Sequence, residues 1–387
     1  MHILHTIDSA GIYGAETVLL NLASEQQRRG LTPTILSIGN PVCGTKALET
    51  EADRRRLRCI PYRMRDGLNL SGAREMLQIA VREQVDLIHS HGYKTNILLA
   101  ATPRSGRRLP VMSTLHGWTA KSPWSKLGLY RFIDQRLLHR LDAVVVVDAK
   151  LTSIPAIAAL GKERVHTIAN GISLDASAPV VPAADALSRE LAQLRKHYRI
   201  VLGAVGRLSP EKNFVALVDA MRQVAAAGSD VAVVILGEGP EDVALRDAIA
   251  STGLSERVRL AGYVKDARAH LPAFDGLVIP SLTEGLPMIL LEAMAANLPV
   301  IATRVGDIAS TLDDLGILVE PGDTRQLAAA IAAMAAEPAR LKAAAAGGRK
   351  RVLQHYSSGA MAERYERVYD SVLRRFAGDA PRAAASD

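Results

Sequence analysis

The chain has 387 residues, 48% hydrophobic and 22% charged, a globular composition too long for one ordinary core, so two domains are expected. No run of about 18 uncharged apolar residues occurs, and the start MHILHTIDSAG has no basic leader, so a cytoplasmic protein without a spanning helix is expected. The charge of +7 is uneven: residues 1–175 hold 23 Lys and Arg against 15 Asp and Glu, and the remainder 24 against 25.

In chain order the first half reads as the strand MHILHTI, a helix over residues 16–29, the strand TPTILSI, a helix over 73–83, and then the strands VDLIHS, LPVMSTLH, DAVVVVD and RVHTIAN. Short apolar strands between helix-length segments predict a parallel sheet covered on both faces. The stretch DASAPVVPAADA turns to Pro and Ala without periodicity, after which the alternation resumes with RIVLGAVGRL, VAVVILGEGP, VRLAGYV, GLVIPSL and LPVIAT. The expected organisation is an α/β chain of two Rossmann-like doubly wound domains facing a central cleft. Residues 1–178 bind the acceptor, residues 179–365 bind the donor, and residues 366–387 end a helix that crosses back to the first domain.

Cys43 and Cys59 are too few for a disulfide framework and lack zinc-ligand spacing. Arg54, Arg55, Arg56, Arg58, Arg63 and Arg65, with Arg104, Arg107 and Arg108, make either a site for an anionic partner or a solvated face.

Ligands of open α/β sheets bind beyond the carboxyl ends of the strands, so the loops there carry the chemistry. Gly11 and Gly14 in DSAGIYGAET follow the first strand and precede a helix, where backbone can approach a phosphate; the alternative is a simple turn. Arg207 and Lys212 in VGRLSPEKN can converge on one diphosphate, or stand as solvated charges. Gly237 and Gly239 in LGEGPE allow a tight turn against a base or ribose, or merely end a strand.

The stretch SLTEGLPMILLEAMAANLPVIAT places Glu284 and Glu292 around an apolar helix. A helix without a polar face is buried, so Glu292 faces either a cation such as Arg304 or Arg207, or a ligand crevice. The amides of Gly285, Leu286 and Met288, with Pro287 at the helix start, can receive a phosphate while the two carboxylates accept hydroxyl hydrogens. Taken together, the four loops predict a nucleotide sugar.

Three histidines, His89 and His91 in IHSHGYKTN and His116 in STLHGWT, end strands of the first domain and are the acceptor-side candidates. There is no P-loop, no nucleophile elbow and no Asp-x-Asp pair, so no metal or other cofactor is expected.

GIYGAE, SHGYKTN, TLHGW, IANGIS, VGRLSPEKN, LGEGPE, EGLPMILLE and GILVEPGD, in this order, resemble the retaining glycosyltransferases of sequence family 4, also called glycosyl transferases group 1, which have the two-Rossmann GT-B fold. The resemblance implies that Glu292 binds ribose, Glu284 lies beside the donor sugar, Arg207 and Lys212 clamp the diphosphate, Gly14 faces the phosphates, and His116 stands near the reacting centre. On the acceptor side it implies His91, Tyr13, Glu16 and Trp118. It further implies front-face attack with the leaving phosphate taking the proton, a UDP-sugar donor and a glycan or lipid-linked acceptor in cell-surface polysaccharide biosynthesis.

The chain departs from the family's pattern at Asp148, Ser173, Asn213 and Asp307, none of them a charged site residue lost. LHGWTAKSPWSKLGLYRFIDQRLL mixes Trp118, Trp124, Leu127, Leu129 and Phe132 with Lys121, Lys126 and Arg131, which fits peripheral contact with an anionic membrane or an ordinary amphipathic helix. No nucleic-acid partner is expected. The rival readings are an epimerase or phosphorylase-like enzyme on the same fold, and a catalytically idle nucleotide-sugar binding subunit.

Overall fold

A computed structural model describes residues 1–378 except 10, 66, 68, 104–106, 117–125, 174–184 and 265. The chain divides into two compact units, Met1–Ser173 with Ser358–Asp387, and Leu174–Ser357.

The first unit holds seven strands: β1 (His2–Asp8), β2 (Thr32–Gly39), β3 (Arg58–Arg63), β4 (Leu87–His91), β5 (Val111–Leu115), β6 (Ala143–Val146) and β7 (Val165–Thr167). They lie in the order β3-β2-β1-β4-β5-β6-β7 and every pairing is parallel. β4, β5 and β6 are buried at every residue, as strands covered by helices on both faces must be.

β3 is the strand that periodicity did not predict. Its sequence RCIPYR is mostly part-exposed, and Pro61 suits an edge position because it cannot donate to a further ladder. Four of the arginines around it are paired: Arg54 and Arg55 with Glu51, Arg58 with Glu83 and Arg63 with Glu49. That pairing neutralises much of the cluster's positive charge.

The helix Gly14–Arg28 buries Val18, Leu19, Leu20, Leu22 and Ala23. It stops at Gly30, whose φ of 83° lets Leu31 N–H return to Gln26 O at 2.9 Å and Gly30 N–H to Gln27 O at 3.1 Å. The last helix, Ser358–Gly378, belongs to this unit. Met361, Ala362, Tyr365, Val368, Tyr369 and Val372 recur at helical spacing on its buried face. Its tethers include Arg29 to both oxygens of Glu366, at 2.6 and 3.0 Å, and Ser358 N–H to Ile172 O at 2.8 Å.

The second unit holds β8 (Ile200–Val205), β9 (Val231–Leu236), β10 (Val258–Gly262), β11 (Gly276–Ile279), β12 (Val300–Thr303) and β13 (Ile317–Val319), all parallel in the order β10-β9-β8-β11-β12-β13. Its core packs Leu202, Ala204, Val233 and Ile235 of the sheet against Leu217, Met221 and Ile331 of the covering helices. β13 is three residues long, too short for a period-2 pattern to register. Ala186, placed in the aperiodic stretch by composition, opens the helix Ala186–Leu194, capped by Asp185 on Ser188 N–H at 2.8 Å. Among the described residues no helix is long and apolar enough to cross a membrane.

Candidate active site

Each sheet reverses its strand order once, between β1 and β4 in the first unit and between β8 and β11 in the second. Those switch points open a crevice beyond the strand ends, where the loops from the two directions separate.

In the second unit the loops are fastened to one another. Residues 206–208 lie against residues 237–241: Gly206 N–H donates to Leu236 O at 3.0 Å, Leu208 N–H to Glu238 O at 3.0 Å and Glu241 N–H to Leu208 O at 3.0 Å. A side chain on Gly237, whose φ is 148°, would collide with Gly206 O, and one on Gly239 with Leu208 O. Glycine is therefore required at both positions by contact between backbones.

The loop after β8 is joined to the loop after β11 by Leu282 N–H on Glu211 O at 2.8 Å and by an ion pair between Lys212 Nζ and Glu284 Oε1. Ser281 Oγ donates to the same carboxylate oxygen at 2.8 Å. Asn213, one of the departures from the resembled pattern, holds φ 55° and ψ 40°, a left-handed conformation that Asn tolerates better than most side chains. The loop after β12 closes the set, with Thr303 Oγ1 on Ser281 O at 2.6 Å and Asp307 N–H on Gly285 O at 3.1 Å. Asp307 itself sits at φ −90°, so that departure from the resembled pattern carries no backbone strain.

Arg207 and Glu292 are among the charged side chains at this edge that have no hydrogen-bond or ion-pair partner among the described residues. Arg207 is exposed, and Glu292 is half-buried on the helix Met288–Ala295. Burial pushes the Glu292 carboxyl above its ordinary value; Arg268 works against that shift and Asp266 with it. Arg304 is engaged elsewhere, with Glu320 at 3.3 Å, so neither cation considered from the sequence pairs with Glu292. The amides of Gly285, Leu286 and Met288, around Pro287, likewise have no acceptor among the described residues.

In the first unit, Gly14 opens the helix Gly14–Arg28, and a Cβ there would meet nothing within 4 Å. Tyr13 is 68% exposed beside it, and buried Glu16 accepts from Tyr13 N–H at 3.0 Å, capping the helix. Trp118 lies outside the described residues.

His91 and His116 come together, Nδ1 to Nε2, at 3.0 Å. They continue into buried groups that local sequence did not single out: His91 Nε2 meets His5 Nδ1 at 3.1 Å, His5 Nε2 meets Gln26 Oε1 at 2.8 Å, and Gln26 Nε2 meets Tyr369 OH at 2.9 Å. Tyr369 OH meets His89 Nδ1 at 2.9 Å, and His89 Nε2 meets Thr114 Oγ1 at 2.7 Å.

Burial holds His5 and His116 down to about 4, and holds His89 and His91 well below the usual imidazole value with help from neighbouring rings. All four are neutral near pH 7. His5, His89 and His91 could offer three metal ligands within 4.8 Å of one another. Every ring nitrogen of the three already has a hydrogen-bond partner, so an ion there would have to displace that network.

The same fold occurs in solved structures. Anabaena HepE in complex with UDP superposes with a TM-score of 0.78, covering 96% of this chain and 100% of that one at 20% identity. The fold is therefore GT-B, with two Rossmann-like parallel-sheet units.

Residues 12–176 match the family described as Glycosyltransferase Family 4, and residues 199–337 the one described as Glycosyl transferases group 1. The 2-deoxystreptamine N-acetyl-D-glucosaminyltransferase of Streptomyces fradiae is 30% identical over 389 residues, 89% of this chain and 90% of the relative. The phosphatidyl-myo-inositol mannosyltransferase of Mycobacterium leprae is 28% identical over 377 residues, 93% of each chain. The chain belongs to glycosyltransferase family 4, and it is a glycosyltransferase.

Proposed function

We propose that this enzyme transfers a sugar from a UDP-sugar to a hydroxyl of a glycan or lipid-linked acceptor, with the anomeric configuration retained. The observation that carries the reading is that Arg207 and Glu292 have no hydrogen-bond or ion-pair partner among the described residues, beside the Lys212–Glu284 ion pair and the unpaired amides of residues 285, 286 and 288. A nucleoside diphosphate sugar is complementary to that set: a diphosphate for the two cations and the amides, ribose hydroxyls for Glu292, and sugar hydroxyls for Glu284.

In this reading Arg207, Lys212 and the amides stabilise charge as it develops on the leaving diphosphate, the electrostatic contribution that usually dominates such transfers. The phosphate oxygen released on the donor's own face takes the acceptor's proton. Gly237 and Gly239 let their turn close against the Arg207 loop beside the base and ribose, and Gly14, where a Cβ would meet nothing within 4 Å, leaves room for the phosphates. His116 positions the reacting sugar or acceptor, with His91, Tyr13, Glu16 and Trp118 on the acceptor side. Metal is not required, because fixed cations and amides do the work of a divalent ion. UDP as the donor nucleotide is supported by the UDP held in the Anabaena structure of the same fold.

Thermal denaturation with UDP, GDP, ADP and their sugar conjugates tests this directly. UDP and a UDP-sugar are expected to raise the midpoint, since a ligand bound to the native state alone stabilises it by mass action, and Glu292→Ala is expected to abolish most of the rise. A shift with GDP or ADP alone would overturn the choice of base. No shift with any nucleotide would overturn the donor site.

The relatives' names give acceptors as different as 2-deoxystreptamine and phosphatidyl-myo-inositol. A membrane-side acceptor is supported here by Leu129 and Phe132, which are 56% and 53% exposed one turn apart on the helix Lys126–Leu137. Arg136 lies over the Phe132 ring at 4.7 Å. Exposed apolar groups with basic neighbours suit a peripheral contact on the cytoplasmic face of an anionic bilayer. Flotation with phosphatidylglycerol vesicles is expected to carry the enzyme upward, and Leu129→Glu with Phe132→Glu to leave it at the bottom; equal flotation of both would remove this contact.

A further inference from the structure

We propose that Gln26 is a positioning residue that sets the tautomer of His116 through His5 and His91, so that His116 presents a bare Nδ1 to its ligand. Gln26 lies in the helix Gly14–Arg28, fully buried, with no contact to His116 of its own. Its effect passes along three hydrogen bonds: Gln26 Oε1 to His5 Nε2 at 2.8 Å, His5 Nδ1 to His91 Nε2 at 3.1 Å, and His91 Nδ1 to His116 Nε2 at 3.0 Å.

A neutral imidazole has one N–H and one lone pair, so a donor at one nitrogen dictates an acceptor at the other. The Gln26 carbonyl oxygen can only accept, which places the His5 proton on Nε2 and leaves His5 Nδ1 bare. His91 must then donate from Nε2 and accept at Nδ1, and His116 must donate from its Nε2. The proton missing at the end of the chain is the one on His116 Nδ1. That atom is buried and has no partner among the described residues.

A lone pair left in that state is satisfied by a donor brought in from outside, and a sugar or acceptor hydroxyl supplies one. The other arm starts at the same amide. Gln26 Nε2 donates to Tyr369 OH at 2.9 Å, Tyr369 OH then donates to His89 Nδ1 at 2.9 Å, and His89 Nε2 donates to Thr114 Oγ1 at 2.7 Å. One amide therefore orders two chains of protons, and turning it over would reverse both and convert His116 Nδ1 from acceptor to donor. Sequence separations of 21, 86 and 25 residues along the first arm kept the relay out of reach of local motifs.

That a hydroxyl meets this nitrogen rests on the proposed transferase site; the tautomer does not. Long-range ¹H–¹⁵N correlation spectra of [¹⁵N]histidine-labelled full-length protein at pH 7 read the tautomer without substrate, with the His116 signals assigned by their loss in His116→Asn. The expected native spectrum has His116 protonated at Nε2, with Nδ1 at the shift of an unprotonated ring nitrogen. Gln26→Glu keeps an oxygen acceptor facing His5 and is expected to preserve that pattern. Gln26→Leu removes the anchor, and the two His116 nitrogens are expected to move toward averaged shifts. A proton on His116 Nδ1 in the native protein overturns the proposal even if Gln26→Leu fails to fold, and so does a folded Gln26→Leu variant whose His116 shifts are unchanged. An intact tautomer pattern in a protein that binds no nucleotide would instead remove the proposed donor site and leave the relay standing.

Discussion

Lys212→Ala is expected to lower donor turnover, read as kcat/KM for a UDP-sugar, by roughly 10²- to 10³-fold, the usual cost of deleting one fixed donor aimed at developing negative charge. Two losses combine in this variant. The leaving diphosphate loses a cation, and Glu284, 11% exposed, loses the ion-pair partner that neutralises it and keeps only Ser281 Oγ at 2.8 Å. An unpaired carboxylate beside the diphosphate then repels what the site must attract.

Lys212→Arg is expected to rescue little, because the lysine acts as a point charge within a packed pair and a planar fork needs a different geometry. Glu284→Gln separates the two effects: it frees Lys212, so UDP is expected to bind at least as tightly as before, while transfer falls because the sugar loses its carboxylate. Calorimetric UDP affinities for the three variants, set beside their turnover, check the assignment. Native turnover in Lys212→Ala, or UDP binding lost in Glu284→Gln, would contradict it.

Much of this site was legible because its parts are local in sequence. Arg207 and Lys212 lie on one loop, and Glu284 and Gly285 on another, each directly following an apolar strand whose end is visible in the composition. What was not legible is pairing at long range. Lys212 and Glu284 were assigned to different ligand groups, yet they are each other's partners across 72 residues of sequence. Nothing in the run of residues after β12 announced that Thr303 and Asp307 would brace the Glu284 loop.

The strands show the same division. β9, VAVVIL, is buried at all six residues and reads as a strand at sight, whereas β3 and β13 lie at sheet edges, where part exposure or a length of three residues removes the pattern. The histidines were found as strand-ending residues, but His5 and Gln26 carry ordinary core neighbours and became informative only through the geometry that joins them to His91.

Acid is expected to destabilise the first unit well before it reaches the carboxylates. His5, His89 and His91 are at most 3% exposed, and burial keeps His5 and His116 neutral down to about pH 4, with His89 and His91 shifted in the same direction. Half-buried His166 is lowered too, by burial and then by Arg375. In the unfolded chain these rings take up protons near pH 6.5. The unfolded state therefore binds more protons than the folded one below that pH, and stability, complete above about pH 7, declines as pH falls from 6.5 toward 4.

For His5 alone, a drop from 6.5 to about 4 corresponds to roughly 3 kcal/mol by the bottom of that window. The four rings of the relay interact and do not contribute independently, but several kcal/mol is a large share of the ~5–15 kcal/mol that holds a typical domain folded. The ion-paired carboxylate of Glu51 in this unit acts in a separate range: held down to about 2 by Arg54 and Arg55 against the effect of burial, it loses its contribution only below about pH 4.5.

Urea denaturation at half-unit intervals from pH 8 to 4 separates the two windows. The unfolding free energy is expected to be level above pH 7 and to fall with increasing slope from pH 6.5, and His5→Gln, which retains a polar group but cannot titrate, is expected to flatten that slope by up to one proton. A free energy constant from pH 7 to 5 would mean that the imidazoles protonate in the folded state, and the neutral relay through Gln26, His5 and His91 would fail with it.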